Sequence, residues 1–216
     1  MPDISVIIPA YREEKVIGGV VEKVCRVMDA TGQSYEIIVV DDGSDDGTAA
    51  EAKKAGARVI SHPYNIGNGA AVKTGIRNAL GDVLVMLDGD GQHSPEDIPR
   101  LLEKMDIYDM AVGARTGDSE ASFHRKVANR TYNRFATYMC KRRIEDLTSG
   151  FRAIKTGIAR QFVSLLPNEF SYPTTITMAL IRSGYSLVYV PIKTNRRVGK
   201  SKIKPLRDGS RFFLII

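Results

Sequence analysis

Tryptophan is absent from the 216 residues, and cysteine and histidine occur only two and three times. Cys25 and Cys140 sit in helical patterns without CxxC spacing, which argues against a disulfide framework or a metal cage and for inert, buried thiols. Aromatic residues make up 7% of the chain, too sparse for a base-stacking platform, and no zinc-knuckle or RNP-like run appears, so no nucleic-acid partner is expected. Met1-Pro2-Asp3 leads straight into a strand pattern without a basic region or an apolar stretch of adequate length, so no signal peptide is expected and the reading is cytosolic. There is no internal repeat and no low-complexity segment.

What is present is an apolar content of 43%, enough for one well-buried α/β domain. The net charge of +6 conceals an asymmetry: residues 1–110 hold 11 basic and 19 acidic groups, a net of −8, and residues 111–216 hold 20 and 6, a net of +14. The second half is therefore suited to face anions, either phosphorylated substrates or an anionic membrane surface.

Short β-rich runs alternate with helical patterns over the first 115 residues, which predicts a mostly parallel sheet flanked by helices. Strands are expected at 4–9, 35–40, 58–61, 83–87 and 110–114, and helices at 14–30, 47–55, 69–80 and 95–105. The second helix has Asp45 or Asp46 as its cap. Beyond these the pattern is less regular. A basic helix is expected over 122–143, a short strand after the loop Leu147-Thr148-Ser149-Gly150, helices over 156–166 and 172–183, a strand over 186–192, and then a basic, glycine-containing loop.

Ligands of such sheets bind beyond the carboxyl ends of the strands, and the polar motifs lie there. Pro9-Ala10-Tyr11-Arg12-Glu13 follows the first strand, Asp41-Asp42-Gly43-Ser44 the second, Asp88-Gly89-Asp90-Gly91-Gln92-His93 the fourth, and Arg115 the fifth. Side chains at i and i+2 of an extended segment point the same way and glycines admit a ligand, so Asp88 and Asp90 can share one hard cation able to hold a diphosphate.

Seven motifs in order, VIIPAYREE, VVDDGSDDGT, NIGNGAAVKTG, DGDGQH, GAR, LTSGFR and RRVGKSK, resemble the inverting family-2 glycosyltransferases of GT-A fold. The resemblance is greatest to the dolichyl-phosphate mannose synthase and polyprenyl-phosphate glycosyltransferase branch. It implies a Rossmann-like, mostly parallel sheet over 1–204, ending in a basic loop, with an amphipathic or juxtamembrane helix over 205–216. It places Pro9, Ala10, Tyr11, Glu13, Val40, Asp41 and Asp42 around the base and ribose of a nucleotide-diphosphate sugar such as GDP-mannose or UDP-glucose. Asp88, Gly89 and Asp90 would meet the donor, with Asp88, Asp90 and Gln92 on Mg2+ or Mn2+ and His93 as a further candidate contact. Arg115, Arg125 and Ser149 would hold an acceptor phosphate, Arg196 and Lys202 would belong to a loop closing over the donor, and Asp88, Asp90 and Arg115 would be the catalytic set. The family commonly has lysine where this chain has Asn68, and the QxxRW motif of processive synthases is missing, so chain-building polymerisation is not expected.

The implied acceptor is a polyprenyl or dolichyl phosphate, already ionised at neutral pH and needing cations more than a base. The run Phe212-Phe213-Leu214-Ile215-Ile216 is too short to span a bilayer, which takes about 20 residues. It suits an interfacial helix, or the start of a membrane anchor, at the cytoplasmic face of a membrane. Two rival readings carry their own marks. A transferase acting on a sugar or protein hydroxyl would need a carboxylate base, for which Asp146 is the candidate; a noncatalytic membrane-surface adaptor would bind anions through its basic half without consuming a donor.

Overall fold

A computed structural model describes residues 1–116, 123–169 and 171–194, with backbone alone over 123–130. Seven strands form one sheet in the order β3-β2-β1-β4-β6-β5-β7. β1 (Ile4–Ala10), β2 (Tyr35–Asp41), β3 (Arg58–Ser61) and β4 (Val83–Met86) are mutually parallel, and β5 (Met110–Arg115) is parallel to β7 (Leu187–Ile192). β6 (Arg152–Lys155) runs antiparallel between β4 and β5, pairing Met86 with Arg152 on one side and Val112 with Arg152 on the other.

Alternation along β1 builds a core on each face of the sheet, as expected for a central strand covered on both sides. Val6 and Ile8 pack with Val21, Val24 and Met28 of α1 (Ile17–Thr31) and with Leu101 of α4 (Ile98–Leu102). Ile7 packs on the other face with Ile76 of α3 (Asn68–Asn78), Ala159 of α6 (Thr156–Phe162) and Ile176 of α7 (Tyr172–Arg182). The remaining α-helices among the described residues are α2 (Thr48–Lys54) and α5 (Phe123–Cys140).

Elements lie close to their expected places, and the differences have local causes. α1 starts at Ile17 rather than at residue 14, because Arg12 adopts φ 54° and Glu13 caps the turn, its carbonyl accepting from the N–H groups of Val16 and Ile17. Gly32, at φ 69°, ends the helix as glycine does in the left-handed region. The helix expected over 95–105 splits into a 3-10 turn, Pro95–Asp97, and the short α4, because Pro99 in its first turn has no N–H to extend an earlier ladder. Among the described residues no helix is long and apolar enough to cross a membrane. The segment 205–216 lies outside the described residues.

Candidate functional site

Because β6 is antiparallel, its first residue sits at the same sheet edge as the last residues of β1, β2, β4 and β5. The loop ahead of it, 146–150, therefore lies beside the carboxylates that follow β4. At Gly150 the approach is tight: a Cβ there would stand 2.9 Å from Asp88 Oδ2.

The loops after β1 and β2 are stitched together by polar contacts. Arg12 donates through Nε and Nη2 to Asp45 at 2.7 and 2.6 Å, its N–H reaches Ser44 Oγ at 2.9 Å, and Glu13 N–H reaches Thr48 Oγ1 at 2.8 Å. The Arg12 guanidinium lies 5.2 Å from the centre of the half-buried Tyr11 ring. Asp46 accepts from Thr48 N–H at 3.0 Å, but the residue at the cap position of α2 is Gly47, which has no side chain to cap with, so neither Asp45 nor Asp46 is the cap that was expected. Pro9 and Val40 are register partners, and the side chains of Ala10 and Val40 are buried, leaving only the backbone of Val40 for any ligand.

Asp41 and Asp42 are both buried. Asp41 Oδ1 accepts from Ser44 N–H at 3.2 Å. Asp42 organises the loop that runs from β3 to α3: Oδ1 lies 2.7 Å from His62 Nδ1 and accepts from Ile66 N–H at 3.0 Å, while Oδ2 accepts from Asn65 Nδ2 at 2.9 Å and Gly67 N–H at 2.8 Å. His62 continues the chain to Thr74 Oγ1 at 2.9 Å. Gly43 is forced: its φ is 71°, and a Cβ would lie 2.4 Å from the carbonyl carbon of Tyr64.

In the turn after β4, Asp90 is buried and its Oδ1 accepts from Gln92 N–H at 3.1 Å, while the Asp88 side chain is about one third exposed. Gly91 makes the turn at φ 73°. Gly89 packs against β1, a Cβ there falling 3.1 Å from the carbonyl oxygen of Pro9. His93 is buried, stacked on Phe151 with ring centres 5.3 Å apart, and its Nδ1 faces Asp88, 3.4 Å from the N–H and 3.8 Å from Oδ2. Burial brings the imidazole down to about 4, so it is neutral at pH 7 and supports the turn without adding a charge.

Across the rim, Arg115 meets Asp146 in a two-pronged pair: Nε donates to Oδ2 at 2.7 Å and Nη2 to Oδ1 at 2.8 Å. Asp146 also accepts from the N–H groups of Arg115, Thr148 and Ser149 at 3.2, 3.1 and 3.1 Å. Burial by itself would raise this carboxyl, but hydrogen bonds and charge from Arg115, with the backbone donors, outweigh it and hold the group below the ordinary aspartate value. Ser149 is buried, and its Oγ has no hydrogen-bond partner among the described residues. Asn68, Asp88, Thr148, Gly150, Ser171 and Thr174 border a cavity of about 50 Å3 between these groups and the start of α7.

The sequence-derived set thus gathers at one rim wherever it is described. The side chain of Arg125 and all of Arg196 and Lys202 lie outside the described residues. The residues not foreseen are organisers. Arg12, His62 and Asn65 order the first loops, and Arg152, fully buried, donates to the carbonyls of Ser149 and Pro173 and to Thr177 Oγ1. Arg152 was discoverable in principle, as an arginine at the head of a strand whose neighbours all face a core.

A family model described as Glycosyl transferase family 2 matches residues 5–163. The polyprenol monophosphomannose synthase of Mycolicibacterium smegmatis is 34% identical over 215 residues, covering 92% of this chain and 80% of that protein. An undecaprenyl-phosphate 4-deoxy-4-formamido-L-arabinose transferase of Edwardsiella ictaluri is 29% identical, and this chain matches 62% of its length. Among solved structures, glucosyl-3-phosphoglycerate synthase from Mycobacterium tuberculosis, in complex with Mn2+ and uridine-diphosphate-glucose, superposes with a TM-score of 0.73 at 22% identity, covering 98% of this chain and 75% of that one. That likeness establishes a shared GT-A fold. The family match runs from β1 through α6 and takes in each of the strand ends and the loop that form the rim up to Ser149: the chain belongs to glycosyl transferase family 2.

Proposed function

We propose that this glycosyltransferase moves a hexose, mannose or glucose, from a nucleotide-diphosphate sugar to a polyprenyl or dolichyl phosphate, with inversion and with Mg2+ or Mn2+. The carrying observation is the Arg115–Asp146 pair. A hydroxyl acceptor requires a base to remove its proton, but Asp146 has both oxygens committed to six donors and a depressed proton affinity. Its work is to fix the guanidinium of Arg115. A phosphate monoester needs such a fixed cation and hydroxyl donors and no base. Arg115 and Ser149, whose Oγ has no partner among the described residues, supply them in the loop where Gly150 meets Asp88. The relatives, a polyprenol monophosphomannose synthase and an undecaprenyl-phosphate transferase, support the same acceptor class.

The residues after β4 fit a cation that arrives with the donor. Among the described residues no group of three His, Cys, Asp or Glu side chains is placed to hold an ion alone. Asp88 and Asp90, with Gln92, make a partial shell, and diphosphate oxygens and water are the usual completion for magnesium. When bound, the cation neutralises the leaving diphosphate. The chain's own part is to orient the acceptor: one phosphate oxygen attacks the anomeric carbon, the bond from that carbon to the diphosphate oxygen breaks on the opposite side, and no proton has to move.

Asp41, Asp42, Tyr11 and Glu13 form the nucleotide side in this reading, with Arg125, Arg196 and Lys202 closing the acceptor and donor sides. Residues 1–204 are the catalytic domain, 205–216 are membrane-proximal, and the enzyme works at the cytoplasmic face. The test is calorimetric binding of GDP-mannose and UDP-glucose, with and without Mn2+, to wild type and Asp90→Ala, followed by transfer to a short polyprenyl phosphate or to the matching alcohol. We expect one donor to bind only with metal, binding to be lost in the variant, and the sugar to reach the phosphate alone. Transfer to the alcohol would replace this reading with the hydroxyl one, and binding of neither donor would leave an anion-binding adaptor.

A further inference from the structure

Three side chains at the start of α7 return their hydroxyls to backbone carbonyls: Tyr172 Oη donates to Gly150 at 3.3 Å, Thr175 Oγ1 to Ser171 at 3.4 Å and Thr177 Oγ1 to Pro173 at 2.7 Å. Thr174 does not. It is fully buried, and its Oγ1 has no hydrogen-bond partner among the described residues. A buried hydroxyl left so is costly and calls for a reason. Thr174 borders the cavity of about 50 Å3 whose other walls include Asn68, Asp88, Thr148 and Gly150.

The walls of this cavity are fixed from several sides. Arg152 ties α7 to the loop ahead of β6, donating to the Pro173 carbonyl and Thr177 Oγ1, each at 3.1 Å, and to the Ser149 carbonyl. Residues 168 and 169 are pinned on the start of α3, where Gly69 N–H reaches the Glu169 carbonyl at 3.0 Å and Ala70 N–H the Asn168 carbonyl at 2.8 Å. Thr148 Oγ1 is occupied, accepting from Arg115 Nη2 at 2.5 Å and donating to Asp146 Oδ1 at 3.4 Å. Thr174 is thus a hydroxyl held in place at the cavity with its bonding capacity to spare.

We propose that Thr174 selects the donor sugar by hydrogen-bonding one hydroxyl of the hexose, which enters this cavity past Asp88. The proposal rests on the glycosyltransferase reading above, in which Asp88 stands beside the donor. The chemistry of the walls chooses the ligand. Threonine and asparagine side chains both donate and accept, which matches a neutral hydroxyl, while the Asp88 carboxylate accepts from a hydroxyl and repels a phosphate. The space takes a hydroxyl with the carbon that bears it and no nucleobase, and a polyprenyl phosphate carries no alcohol of its own. A site built to pair a hydroxyl rejects an analogue lacking it, because the site's own polar group is then left unpaired.

Calorimetric binding to the full chain, with Mn2+, of GDP-mannose, UDP-glucose and analogues of each lacking the hydroxyl at C2, C3, C4 or C6 tests the proposal on wild type, Thr174→Val and Thr174→Ser. In wild type one such analogue should bind about five- to tenfold more weakly than its parent. Thr174→Val should bring that ratio to within about twofold of unity by weakening the parent alone. Its melting temperature should be no lower than wild type, since the hydroxyl it removes has no partner among the described residues. Thr174→Ser should restore the ratio. Ratios that are the same in wild type and Thr174→Val for every hydroxyl overturn the proposal and leave Thr174 a packing residue or the seat of a water. A ratio that collapses in Thr174→Val while the sugar is transferred to an alcohol upholds the proposal and removes the lipid-phosphate acceptor; binding of neither donor overturns both.

Discussion

Gly150 stands against Asp88 so closely that any Cβ would fall 2.9 and 3.1 Å from the two carboxylate oxygens. The Asp88 carboxylate is the movable end of a short side chain, so Gly150→Ala is expected to displace it at little cost in stability. Small displacements of reacting groups lower rates steeply, and a drop of about 100-fold in donor turnover is expected. Turnover near wild type with an unchanged melting temperature would show that the contact does not position Asp88.

Breaking the Arg115–Asp146 pair should affect stability as well as activity. Asp146→Asn is expected to cost roughly 2–3 kcal/mol at pH 7, because charged hydrogen bonds are replaced by neutral ones at a buried site. The folded carboxyl lies below its unfolded value, about 3.9. Its contribution is therefore complete above that value and is lost only as pH falls through the lower folded one. Denaturant titrations of both proteins at a series of pH values should show a constant gap through neutral and mildly acidic conditions and a closing gap below about pH 4. A gap that closes near pH 6 would contradict the depressed carboxyl.

Asp42→Ala removes the acceptor shared by His62, Asn65, Ile66 and Gly67, leaving two backbone N–H groups without their partner. A loss of roughly 3 kcal/mol follows from the stranded donors. Amide hydrogen exchange should speed up over residues 62–67 before it does in β1. Uniform destabilisation with no local change would mean that the loop is held by something other than this carboxylate.

Arg152 is a buried cation met by neutral oxygens, those of Ser149, Pro173 and Thr177, with its Nε unpartnered among the described residues. Removing the charge in Arg152→Met relieves its desolvation and costs the donors to two carbonyls. These opposing terms of several kcal/mol nearly cancel, leaving a net change within about 2 kcal/mol. The loop at Ser149 loses its tether, so KM for the acceptor should rise while the melting temperature moves little. A large fall in melting temperature with acceptor KM unchanged would make Arg152 purely structural.

Much of this molecule is dictated locally. Alternating apolar residues at periods of two and near 3.6 specify strands and helices wherever they must be buried, so the order of elements and most of their bounds follow from residue type. Glycines and carboxylates after β1, β2 and β4 mark the rim because parallel strands present the same end to a ligand, and the motifs carried the family. The organising role of Asp42 was not legible in that way: an Asp-Asp pair after a strand reads as two ligands, and only the return of residues 62–67 gives one of them four donors.

Tertiary structure decided the remainder. Four residues at β6 carry no sign of strand direction or neighbour, yet their antiparallel insertion between β4 and β5 brings Asp146, Ser149 and Gly150 to Asp88. Which face of α5 turns inward was invisible for the same reason, since a basic helix with aromatic residues can present either side until the packing of Ala136 and Cys140 sets its rotation. Local sequence determines what each segment can be, because propensity and periodicity act over a few residues. Which segments meet depends on long-range pairing and on burying both faces of one sheet, which involve the whole chain at once.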